Sequence, residues 1–408
     1  MEFRSHELKN GLQVVAECNP DAVTTAVAFC VNTGSRDEML DVAGASHFLE
    51  HMVFKGTPSR SADEVNLCFD RVGAEYNAWT SKENTVYYAV VLPEYQNEIV
   101  ELWSDLMRPS LRGGDFDTEK QVIIEEIRMY EDQPPFGADE TVEIAHYGDH
   151  PLANRVLGTV ESVSALTADM MRGYFQSRYS PSNMVLAAAG KVDFDALVAS
   201  AQQHCAAWER FAPQRQCPPP REHTGMEVME KASATQEYVI QLCNAPAAED
   251  QRRFAAYLLV SLLGDSSGSR LYWELLHPGH CEQVSTQYHE FDGAGMFVTW
   301  LCCEPETTAE NLRCIREVYV AAEQEGFTEE ELVRAKTKFN SRMVLGSERP
   351  QNRMISVGLN WLRRGEYRSV KDDMDAYNAV TAAELLAVLK QFPLSKSTGV
   401  AVGPLAEL

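Results

Sequence analysis

His47 and His51 stand four residues apart, and Glu50 lies between them. On a helix that spacing puts both imidazoles on one face, with the carboxylate emerging beside them. Two neutral imidazoles next to an acid suit a tetrahedral zinc ion and the water it activates. The surrounding run, Ala43 to Thr57, reads as one short helix opened by small residues and stopped at Gly56 before Pro58. Phe48, Leu49, Met52 and Val53 supply the face that packs inward. The same pattern also fits two satisfied helix histidines and a solvated glutamate. A zinc site needs a third protein ligand, and the rest of the chain must supply it.

A long helix is expected from Asp117 to about Asp132, ended by Pro134-Pro135. Its periodicity turns Val122, Ile123 and Ile127 to the core and leaves carboxylates at 119, 125 and 126. Glu119 and Glu126 are two turns apart and share a face. One of them can bind a metal while the other supports the site from behind. An ordinary acidic helix surface would look the same.

The elements that must position these residues fit a mixed architecture. The chain has 408 residues, 45% of them hydrophobic, enough for two or three domains with ample cores. No apolar run reaches the length of a membrane span. The N-terminus lacks a basic-then-apolar export signal, so a cytoplasmic location is expected. Ten scattered cysteines form no C-x-x-C pair and read as reduced thiols. A formal net charge of −24 argues against nucleic acid as a partner and favours basic or extended peptides over acidic ones.

Leu12 to Glu17 and Thr24 to Val31 read as strands, followed by the metal helix and a helix opened by a Ser61–Glu64 capping box. Ala74 to Thr80 and Asn84 to Leu92 read as a hairpin, and Met184 to Ala189 as a buried strand. Proline-rich residues 213–224 read as a linker, after which strands and helices recur in similar order. The expected fold class is α+β: two homologous domains, each a mostly antiparallel sheet packed with helices. Residues 1–212 would form the zinc-binding catalytic domain and residues 225–408 an inactive copy. In that copy Tyr257-Leu258-Leu259-Val260-Ser261 takes the place of the metal-binding run.

Three stretches carry a resemblance to a known family: His47 to Thr57, Gly73 to Thr85, and Glu119 to Ile127. In order and spacing they resemble the pitrilysin/insulinase zinc peptidases, which carry the inverted H-x-x-E-H motif and include the mitochondrial processing peptidase β subunit. The resemblance implies half of a clamshell peptidase, with zinc as cofactor and His47, His51 and Glu126 as ligands. It implies Glu50 as general base and Glu119 as the supporting acid. It also implies that peptide adds as a strand along Ala74 to Thr80, where Asn77 and Ala78 are the candidate substrate contacts. Family members with a complete site carry, in the second domain, an Arg and a Tyr seven residues later that contact substrate. Here those positions hold Leu276 and Gln283, so that half of the pattern is missing.

The expected function is therefore zinc-dependent hydrolysis of unstructured peptides. The expected partner is a homologous subunit, or a second copy, that supplies the Arg/Tyr pair. Two other functions stay open from sequence: a non-catalytic structural subunit of the same fold, and a zinc-bound peptide-binding module without turnover.

Overall fold

The computed structural model describes residues 1–221 and 223–408. Two compact units share the chain. The first comprises residues 1–128, 154–216 and 345–369; the second comprises 129–153, 217–344 and 370–408.

Among the described residues of the first unit, six strands form one sheet. They are β1 (Glu2–Glu7), β2 (Gln13–Cys18), β3 (Thr25–Val31), β4 (Glu75–Thr80), β5 (Thr85–Val91) and β6 (Met184–Gly190). Their order is β1-β2-β6-β3-β5-β4. Only the β2–β6 pair is parallel; the other neighbours are antiparallel. Every residue of β3 and β6 is buried, as apolar runs bounded by turn residues require of central strands. β4 lies at the sheet edge, with one side of its backbone unpaired by any strand.

Helices cover both faces of this sheet. On one face lie α1 (Ala45–Val53), α3 (Gln96–Leu106) and α4 (Gly113–Asp132), with α2 (Ala62–Arg71) beside α3. The Ser61–Glu64 capping box forms as the sequence predicts. The other face is covered by the helix Pro350–Arg364, which comes from far along the chain. Met354 and Val357 are buried there against Val15, Ala28, Cys30 and Ala187. Arg353 anchors this helix through paired bonds to Glu17 at 2.9 and 2.5 Å, and Tyr367 donates to the same carboxylate at 2.7 Å.

The second unit's sheet contains β7 (Gly225–Glu230), β8 (Glu237–Asn244), β9 (Gln283–Phe291), β10 (Ala294–Cys303) and β11 (Thr398–Gly403). The order is β7-β11-β8-β10-β9, again with one parallel pair, β7–β11. Without β1, the first sheet's order matches the second strand for strand, parallel pair included. The two units are thus copies of one α+β topology. α1 lies between β3 and β4; the helix Arg253–Gly264 holds the matching place between β8 and β9. That helix contains Tyr257 to Ser261, the run the sequence puts in the place of the metal helix.

One assignment needs correction. Val122 does not face the core: it is 48% exposed, while Ile124 is buried with Ile123 and Ile127. The inward arc of α4 centres on Glu119, Ile123 and Ile127, a strict i, i+4, i+8 row, and Val122 falls on its flank. No described helix is long and apolar enough to cross a membrane.

Candidate metal centre

α1 is fixed at its start, along its length and at its end. Its N-cap, Gly44, sits at φ +91° and carries no side chain to cap the helix. The Glu38 carboxylate does so instead, accepting from Gly44 N at 2.7 Å and Ser46 N at 2.6 Å. Tyr174 and Ser46 bond through their hydroxyls at 2.6 Å. Phe48 stacks on Phe116 of α4, ring centroids 4.4 Å apart, which clamps the two helices together. Beyond the helix, Arg112 donates to Thr57 O at 2.7 Å.

This clamp brings the helix faces together. The rings of His47 and His51 lie 4.7 Å apart by centroid. Glu126 reaches between them, with carboxylate oxygens 3.8 Å from His47 Nε2 and 3.6 Å from His51 Nε2. One ligand atom from each of the three residues lies within 4.8 Å of the others, a set that could hold a metal ion. Glu125 points elsewhere: its side chain is 70% exposed and pairs with Arg128 on the surface.

Behind the trio, His51 Nδ1 lies 2.9 Å from Glu119 Oε1, and Lys55 bonds the other Glu119 oxygen at 2.6 Å. Burial would raise the Glu119 carboxyl, but the bonds from His51 and Lys55 outweigh it and hold the group below its ordinary value. Burial would likewise lower His51; its bond to Glu119 and the charges of Glu126, Glu119 and Glu50 raise it. Burial, helped by His51, pushes His47 down to about 3, so its imidazole is neutral near pH 7. Glu50 accepts from Thr80 Oγ1 of β4 at 2.6 Å. Burial lifts its carboxyl above the usual range, against the pull of Thr80 and His51.

His47 provides the test of fit for a metal. It is only 8% exposed, its Nδ1 has no hydrogen-bond partner, and its Nε2 faces Glu126 beyond hydrogen-bond range. A buried imidazole bonded at neither nitrogen is uncommon. The arrangement fits a site in which a cation takes the Nε2 lone pair. His51, with Nδ1 turned to Glu119, presents Nε2 to the same point.

The remaining candidates fall on the edge strand. Asn77 and Ala78 both lie in β4, paired with Tyr88 and Tyr87 of β5. Asn77 Oδ1 accepts from Ala78 N at 2.9 Å, so this side chain is bonded to its own strand. The sequence reading missed Thr80, Lys55 and Glu38. Lys55 had a readable signal, lying four residues after His51 within the run the sequence reads as one helix, although in the structure it falls in the turn just past α1. Thr80 meets Glu50 only through the tertiary fold, whereas Glu38 bonds backbone six and eight residues on, across an irregular turn that carries no capping signature.

Residues 13–160 match the family model described as Insulinase (Peptidase family M16), and residues 165–339 match Peptidase M16 inactive domain. A protein of Mycobacterium leprae named as an uncharacterized zinc protease is 35% identical over 411 residues, covering 98% of this chain and 91% of its own. A Bacillus subtilis protein named in the same way is 28% identical, covering 95% of each chain. The solved structure of a protease from Helicobacter pylori superposes with a TM-score of 0.92 at 22% identity, over 99% of both chains. A putative M16-like peptidase from Alicyclobacillus acidocaldarius gives 0.86 at 24%, over 98% of both. The fold and the site thus define a two-unit α+β peptidase architecture. The chain belongs to the insulinase family, peptidase family M16, and its function is of the peptidase type.

Proposed function

We propose that this chain is a zinc-dependent endopeptidase acting on unstructured peptides, with His47, His51 and Glu126 as metal ligands and Glu50 as general base. The observation that carries this reading is His47, buried and bonded at neither ring nitrogen, with Nε2 facing Glu126 next to His51. Zinc bound there would polarise a scissile carbonyl and lower the pKa of its water to about 7.

The chain's own groups account for the rest. Glu119 holds His51 so that Nε2 faces inward, and Lys55 keeps Glu119 in place. Glu50 takes the proton of the attacking water and returns it to the leaving amine. Its raised carboxyl suits the second role, because the protonated form lies within reach. Thr80 aims Glu50 from β4, the strand along which the peptide would lie. The free edge of β4 supports binding by strand addition, which holds a peptide through its backbone and accepts many side chains. Asn77 would release Ala78 N as the peptide docks.

The absence of the family's Arg/Tyr pair favours a heterodimer. Leu276 packs against the second unit's apolar core, and Gln283 opens β9 with an exposed side chain. Neither is a cation, so a homologous subunit would supply the donors that hold peptide carbonyls. The test is zinc stoichiometry and cleavage of an unfolded peptide, measured for the chain alone and with its co-purifying homologue. One zinc per chain, removed by His47→Ala, with cleavage raised by the homologue, supports the reading. A chain that binds no zinc would be a structural subunit. One zinc without cleavage under any pairing would make it a peptide-binding module.

A further inference from the structure

In the first unit, a cleft of about 1030 Å³ opens between α2, α3 and the helix Phe194–Cys205. It is separate from the histidine site. In a chain of net charge −24, its basic groups stand out. Arg60, Arg71, Arg108 and His204 all line it, together with Glu64, Glu101 and Asp105.

The three carboxylates equal the three guanidiniums in number, but none of them pairs with Arg71 or Arg108. Asp105 accepts from Thr57, Ser59 and Arg60, and Glu101 accepts from Arg60 at 2.9 Å. Glu64 caps α2 by accepting from Ser61 N at 2.7 Å. Arg60 is thereby neutralised, whereas Arg71 and Arg108 are not. Among the described residues, Arg108 makes one hydrogen bond, from Nη1 to Met107 O, and pairs with no carboxylate. Its guanidinium carbon lies over Trp208, 3.8 Å from the ring centroid, with Phe175 at 5.6 Å. Such a contact restrains the guanidinium without using its N–H donors, of which only Nη1 is bonded, to Met107 O. Arg71 makes only a weak 3.7 Å contact to the Cys68 sulfur.

Two guanidiniums without acid partners, one of them restrained by an aromatic ring, favour a doubly charged oxyanion with several acceptors. Trp208 and the exposed Leu67 add apolar wall, and the volume exceeds what a lone phosphate ion fills. We propose that this cleft binds a phosphate monoester, its phosphate held by Arg71 and Arg108 and its organic part against Trp208 and Leu67. The inference does not depend on the metal site.

The test is a calorimetric titration of the full chain with inorganic phosphate, phenyl phosphate and benzoate. The expected order is phenyl phosphate tighter than phosphate, with benzoate weakest. Arg108→Gln and the surface variant Arg71→Gln should each weaken phenyl phosphate by about tenfold or more, since each removes a charge-assisted donor. The Arg71 variant keeps the test valid if loss of Arg108 unsettles Trp208. Phenyl phosphate that fails to bind, or binds equally to wild type and both variants, overturns the proposal. Benzoate binding as well as phenyl phosphate overturns the phosphate assignment.

Discussion

His51 and Glu119 are joined by a 2.9 Å hydrogen bond between Nδ1 and a carboxylate oxygen, and that bond sets which nitrogen His51 offers to a metal. With the proton on Nδ1, the lone pair is on Nε2, on the side of His47 and Glu126. Replacing Glu119 with alanine should therefore weaken zinc binding by about 10- to 100-fold with the fold intact. Glu119→Gln should recover part of the loss, because its amide oxygen still accepts from Nδ1. Competition against a chromophoric chelator measures both. Unchanged affinity in the alanine variant would remove Glu119 from the site.

The orientation of α4 makes a sharp distinction between neighbours. Glu126→Gln should lose most zinc affinity, because a neutral amide replaces an anionic ligand. Glu125→Gln should leave it unchanged, since that side chain points to solvent and meets only Arg128. Metal analysis of the two variants after dialysis decides it. Zinc loss on changing Glu125 would mean that α4 sits about 100° from its position here.

A third expectation concerns acid. Burial would raise the Glu17 carboxyl, but Arg353 and Tyr367 outweigh it, so its folded value lies below the ordinary one. A lowered carboxyl stabilises the fold above the unfolded value, about 4.3 for Glu, and that share is lost as pH falls through the folded value. Arg353→Met should cost about 3 kcal/mol near pH 7, because it leaves a buried charge unpaired. The double variant with Glu17→Gln should recover most of this and lose less stability on acidification than wild type. Urea midpoints at pH 7 and pH 4 test both statements. An Arg353→Met midpoint equal to wild type would show that the pair is not what holds the helix down.

The packing of that helix gives a fourth. A Cβ at Gly358 would meet Cys30 Sγ at 2.8 Å and Ala187 Cβ at 2.9 Å. Gly358→Ala gains up to about 1 kcal/mol of helix propensity but overfills the contact, at about 1–3 kcal/mol. The melting temperature should fall. Gly346→Ala, where the nearest atom is Asn352 Nδ2 at 3.7 Å, should hold or raise it. A rise in both variants would mean the helix does not press on β3 and β6.

What the sequence made legible was local. The i, i+4 spacing of His47 and His51, the Ser61 capping box and the apolar runs of β3 and β6 depend on neighbours within a few residues. The strand β1 was not legible, because five of its six residues are polar or charged, with no alternating apolar face, and it is a strand only by pairing with β2. β7 likewise forms along β11, whose glycine-flanked sequence gives little strand signal of its own. The contact of Arg353 with Glu17 spans 336 positions, and no local pattern announces it. Val122 was misplaced because several near-equivalent arcs fit the apolar residues of α4, and only docking against α1 selects one. The register of Glu126 came from family resemblance; the acidic helix alone left it open.

The central claim is that Glu50 performs proton transfer at a metal held by its neighbours, and Glu50→Gln tests it most directly. Thr80 can still bond the amide, so the fold and the zinc content should match wild type. Peptide cleavage, measured on zinc-loaded protein under conditions where wild type is active, should fall by at least about 100-fold. A variant that retains zinc and cleaves at more than about a hundredth of the wild-type rate would contradict the assignment of Glu50 as the base.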